Sequence, residues 1–109
     1  MPDLDQISET ECYQGEVYAR TAQGITFHLP SLRRFIPYSW LLCSEMNQNE
    51  TELHLYYTHA TVTITGTNLH FLHDAVEHFR LKAVREMPTT ANAQDTTVTR
   101  IELTEKTDD

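Results

Sequence analysis

The chain is short of the residues from which small reactive sites are usually built. Its two cysteines, Cys12 and Cys43, lie 31 positions apart with no CxxC pair and no histidine at zinc spacing, so neither a disulfide framework nor a cysteine-based zinc module is indicated. The three glycines, Gly15, Gly24 and Gly66, are too scattered for a phosphate-cradling loop. Ser8, Ser31, Ser39 and Ser44 sit in no GxSxG-like elbow, which removes the usual signature of a serine nucleophile.

Long apolar runs are missing too. The longest uncharged stretch, "FIPYSWLLCS" at 35–44, contains Pro37 and is far too short to cross a bilayer as a helix. The opening "MPDLDQISETE" is acidic and polar, the reverse of a basic segment followed by an apolar one. These features lead us to expect a soluble, cytoplasmic protein with reduced thiols and no membrane partner.

Basic residues are scarce at the ends. The net charge is −8, of which Asp3, Asp5, Glu9 and Glu11 supply −4 within residues 1–11. Residues 89–109 supply a further −3, and the middle, 12–88, is almost neutral. Polar, like-charged ends read as solubilising tails or docking segments, and a near-neutral middle as the folded part. We therefore expect one domain over 12–88, an acidic N-terminal tail over 1–11, and a polar linker with an acidic tail over 89–109.

What is present reads mainly as strands. "GITFHL" places Ile25, Phe27 and Leu29 on one side, and the segment "CYQGEVYAR" before it is a rougher strand with a bulge or close approach at Gly15. "LPSLRRFIP", with a proline at each end, reads as a connection. "YSWLLCSEM", "TELHLYY" and "TVTIT" then form three strands joined by short turns, an antiparallel meander over 38–66. Cys43 falls inside the first of these, where a thiol is expected to be buried packing.

Gly66 ends the strand pattern, and Thr67 or Asn68 can cap a helix starting at Leu69. At 100° per residue Leu69, Leu72, Ala75, Val76 and Phe79 share one stripe. The stripe fails after Arg80, so the helix is expected to end there, with "LKAVREM" as a further strand; a helix continuing to 86 is the alternative. "VTRIELTE" is a candidate last strand, able to join this sheet or a partner's. The fold expected is α+β: one strongly twisted antiparallel sheet of five or six strands on one amphipathic helix. Its core should draw on Ile25, Phe27, Leu29, Leu53, Leu55, Val62, Ile64, Leu69, Leu72, Val76 and Phe79.

Three functional readings follow. The window "HFLHDAVEH" sets His70, His73, Asp74 and Glu77 opposite the apolar stripe, with the pairs His70/Asp74 and His73/Glu77 one helical turn apart. A metal site would use His70, His73 and Asp74, aided by His54 or His59 from the hairpin, but HExxH is absent and one helix rarely supplies three ligands. Without a metal the same residues form a solvated face with weak ion pairs, or a pH-sensitive contact surface.

Arg33 and Arg34 beside Phe35, Tyr38 and Trp40, together with Arg80, Lys82 and Arg85, supply the phosphate-pairing charge and stacking rings of a nucleic-acid binder. The acidity of the whole chain and the absence of any RNP1, KH or zinc-knuckle signature count against it. The reading placed first is a non-catalytic protein-interaction module, without cofactor, that associates with itself or another protein through exposed strand edges.

Overall fold

The computed structural model describes residues 13–14, 21–87 and 96–105. In chain order the strands are β1 (Tyr13–Gln14), β2 (Gly24–His28), β3 (Arg33–Pro37), β4 (Leu41–Met46), β5 (Glu52–Tyr57), β6 (Ala60–Thr67), β7 (Ala83–Arg85) and β8 (Thr97–Glu105). A turn of 3-10 helix, Tyr38–Trp40, precedes β4, and one α-helix, α1 (His70–Glu77), separates β6 from β7. The tails over 1–11 and 106–109, Cys12, Gly15 and the stretch 88–95 lie outside the described residues.

The fold is α+β, but it contains two sheets where one was expected. Their strand orders are β1-β7-β2-β3 and β4-β5-β6-β8, so the strands also exceed five or six. Nor is the pairing wholly antiparallel, because β7 returns beside β2 in parallel, with Phe27 opposite Val84. A three-residue strand such as "AVR" carries too little periodicity to announce that crossover.

The meander over β4, β5 and β6 is where the alternation places it. Leu53, Leu55 and Tyr57 face inward opposite Ile64 and Val62, while β-branched threonines alternate outward along β6. Asn47 closes the first turn by accepting from the Thr51 and Glu52 amides at 2.8 and 3.0 Å through its side-chain carbonyl, an Asx device that holds a tight reversal. "VTRIELTE" completes this sheet: β8 pairs along the whole of β6, with Ile64 opposite Ile101 and Val62 opposite Leu103.

The "LPSLRRFIP" segment is a strand and not a simple connection. Pro30 and Ser31 form its turn, closed by the Leu29 amide donating to the Leu32 carbonyl at 2.8 Å. Pro37 ends β3 on the margin of the sheet, where a missing N–H costs no ladder bond. Cys43 is exposed and not buried. A register shift between Leu41 and Cys43 turns Cys43 outward and leaves Ser44 opposite the inward Leu55, the expected effect of a bulge on strand facing.

The helix ends at Glu77, short of 86, and neither Thr67 nor Asn68 caps it. Leu69 holds the N-cap position without a side-chain bond, the Thr67 hydroxyl meets that of Thr97, and the Asn68 carbonyl accepts from Thr96. At the other end Phe79 adopts φ 57°. Its amide donates to Val76 O at 3.0 Å and the Arg80 amide donates to Ala75 O at 2.8 Å, the paired bonds of a Schellman stop. Phe79 thereby leaves the apolar stripe: it is 49% exposed, a correction to its expected place in the core, and its ring meets Tyr38 edge-on at 5.2 Å.

The remaining core is one continuous cluster. Ile25, Phe27, Ile36 and Val84 from the first sheet meet Leu53, Leu55, Tyr57, Val62, Ile64, Val98 and Ile101 from the second, with Leu69, Leu72, Ala75 and Val76 from α1. Leu29 is only partly buried against it. Burying each such aliphatic or aromatic side chain stabilises the fold by about 1.5–3 kcal/mol.

Candidate functional site

The histidines of α1 face away from the core and do not converge. His70 Nδ1 lies 2.7 Å from Glu50 Oε2 in the β4–β5 turn, within ion-pair distance though without hydrogen-bond geometry, so its partner is Glu50 and not the expected Asp74. His73 makes the expected helical pair, Nδ1 to Glu77 Oε1 at 3.0 Å, and its Nε2 lies 3.3 Å from Ser44 Oγ on β4. His78 donates from Nδ1 to the Asp74 carbonyl at 2.7 Å.

One trio does come within reach of a cation. Ligand atoms of His73, Asp74 and Glu77 lie within 4.8 Å of one another. The set includes Glu77 in place of His70, and both its carboxylates are exposed. Both ring nitrogens of His73 already have neighbours, so an ion would have to displace one of them. His54 is turned to Thr63 Oγ1 at 3.2 Å across β5 and β6, and His59 stands beside Trp40. Neither joins the helical cluster.

The five basic positions divide. Arg33 and Arg34 are consecutive on β3 and so point to opposite faces. Arg34 turns toward the second sheet and pairs with Glu105 on β8 at 2.9 Å. Arg33 stands opposite His28 on β2, and Arg85 stands opposite the same histidine from β7. Arg80 follows the helix, half-buried, with Nε covered and without a hydrogen-bond partner among the described residues. Lys82 precedes β7, and its carbonyl accepts from the Thr26 amide at 2.8 Å.

His28 is a member of this set that the sequence did not single out. It sits between two guanidinium groups, and its Nε2 is buried without a hydrogen-bond partner among the described residues. Burial, then Arg33, then Arg85 hold its pKa below the ordinary 6.5. Each disfavours the charged ring, the first by removing water and the others by like charge.

A second feature emerges only when the two sheets come together. A cleft of about 360 Å³ is lined by Arg34, Phe35, Ile36, Trp40, Tyr57, His59, Ala60 and Glu105. The Arg34–Glu105 pair links the sheets beside it. Phe35 and Trp40 are 53% and 45% exposed, and the Trp40 and His59 rings meet edge-on at 5.4 Å. Tyr57 is fully buried, its hydroxyl has no partner among the described residues, and burial, then Tyr38, push its phenol well above the usual tyrosine range. Leu42, in the bulge two residues past Trp40, is 64% exposed.

Phe35 and Trp40 drew notice in the sequence as stacking candidates and His59 only as a possible metal donor, whereas Tyr57 and Glu105 carried no functional signal, because the meeting of these residues depends on how one sheet closes on the other. Among the described residues no helix is long and apolar enough to cross a membrane. No protein-family model matches the chain, and no curated protein or solved structure resembles it significantly.

Proposed function

We propose that the chain is a non-catalytic protein-interaction module that associates with a second copy of itself through the inter-sheet cleft. One observation carries this reading: half-exposed Phe35 and Trp40 line the same cleft, and Leu42, two residues past Trp40 in the chain, is exposed as well. Large apolar side chains grouped at a concavity are the kind of surface that association covers. Because the cleft and the projecting Leu42 are neighbours in the chain, a two-fold arrangement lets each copy's Leu42 enter the other's cleft, the self-complementarity that a symmetric dimer needs.

Two of the expected strand edges supply less of the motive than the cleft does. β8 is taken up by β6 within the chain, and the β4 edge is bulged, which discourages strand addition. A reducing, cytoplasmic setting suits the exposed Cys43 thiol. The nucleic-acid reading is favoured only by Arg33 and Arg85 flanking one point; Arg34 is engaged with Glu105 on the other face.

Light scattering across a wide concentration range tests the proposal. The expected result is a concentration-dependent dimer whose formation shifts the emission of Trp40, the single tryptophan, and which Leu42→Lys abolishes without lowering Tm. A strict monomer at every concentration overturns it.

A further inference from the structure

We propose that Arg33, His28 and Arg85 form an oxyanion site on the outer face of the first sheet, and that its ligand is the phosphate group of a small phosphorylated molecule. This inference is independent of self-association, since it uses a different face from the cleft.

The geometry follows from register. His28 is opposite Arg33 in the antiparallel β2–β3 pair and opposite Arg85 in the parallel β2–β7 pair. Residues directly across from one another project to the same face. Neighbouring strands lie about 4.8 Å apart, so one imidazole is held between two guanidinium stems in a single row. Ile25 and Phe27 alternate with these outer residues and are fully buried, which anchors the row on the core.

Three properties of the row suit an oxyanion. The charged groups acting on His28 from the adjoining described strands, Arg33 and Arg85, are both cations, the sign that attracts an oxyanion. The covered Nε2 has no hydrogen-bond partner among the described residues, and a covered polar atom without one costs about 1–3 kcal/mol, which an incoming oxygen would offset. Arginine is suited by its planar fork to bind phosphate in a bidentate manner. Arg85 has an interaction of its own; it enters through its field at His28 and need not be idle.

Anion binding and His28 protonation are linked: a ligand that offsets the two positive charges must raise the His28 pKa, and protonation must tighten binding in return. NMR of the His28 ring, titrated with inorganic phosphate, then with a phosphate monoester, then with a single-stranded oligonucleotide, tests the proposal. Inorganic phosphate and the monoester are expected to raise the His28 pKa. Arg33→Gln, an exposed position, should weaken both by at least about tenfold. Arg100→Gln removes the same charge from β8 and should leave both unchanged. The proposal is overturned if phosphate and the monoester leave His28 unmoved, if the two arginine variants weaken binding equally, or if only the oligonucleotide acts. The last result would assign the row to a nucleic-acid backbone.

Discussion

The Tyr38 hydroxyl donates to the Leu81 carbonyl at 2.7 Å across 43 positions of sequence, tying the turn between the sheets to the segment that leads from α1 into β7. The bond is buried, and Leu81 is wholly enclosed. Tyr38→Phe would leave that carbonyl without its side-chain donor and is expected to destabilise the protein by about 1–2 kcal/mol. Urea denaturation checks this; an unchanged midpoint would mean that water replaces the phenol.

Burial raises the phenol pKa of Tyr38 and of Tyr57 above the ordinary 10.0. The folded protein therefore keeps protons that the unfolded chain releases at high pH. The linked stabilisation is complete below about pH 10 and falls as pH rises beyond it. Stability measured from about pH 8 to about pH 11, a range that spans the ordinary phenol value, should bend downward at the alkaline end. Tyr57→Phe, which removes a hydroxyl without a hydrogen-bond partner among the described residues, should flatten that bend at little cost near neutrality.

Phe79 supports two opposed contributions. A bulky side chain at φ 57° is strained by about 1 kcal/mol relative to glycine, while its edge-on contact with Tyr38 contributes about 0.5–1.5 kcal/mol. Phe79→Gly should consequently be close to neutral. Phe79→Ala keeps the backbone penalty and loses the ring, so it should be the less stable of the two by about 1 kcal/mol. Equal thermal midpoints for the two variants would show that the helix stop carries no strain.

Gly66 marks where β6 and β8 change register. A Cβ there would overlap the Thr97 carbonyl and crowd the Val98 backbone, and backbone cannot swing aside as a flexible side chain can. Gly66→Ala is expected to cost about 3 kcal/mol, the upper end of ordinary overpacking. Amide exchange would rise first along β8. Unaltered exchange there would show that the two strands take up the methyl group without separating.

How much of this was legible beforehand depends on how local the cause is. Val62 and Ile64 alternate with threonines, so β6 announced itself, and Leu69, Leu72, Ala75 and Val76 did the same for α1. Phe79 was misplaced because one left-handed residue ends the helical repeat. Cys43 was misplaced because a bulge reversed the facing after Leu41. β3 was hidden by its prolines and by Arg34, whose inward turn is explained only by Glu105, 71 positions away. The cleft and the cation row depend on such distant pairings, and register of that kind leaves no mark in a local window.

β8 gives the sharpest test of the two-sheet arrangement. It fills an edge of its own sheet with Val98 and Ile101, 0% and 5% exposed, and together these contribute about 3–6 kcal/mol of burial. Its loss would also uncover Val62 and Ile64 on β6. Since a domain of this size holds only about 5–15 kcal/mol in reserve, truncation before Thr97 should abolish cooperative unfolding. A separate peptide spanning 97–105, added in excess, should restore part of it by pairing with β6. A truncated chain that still melts in one sharp transition would mean that β4, β5 and β6 suffice to close the core, and that β8 is an accessory strand.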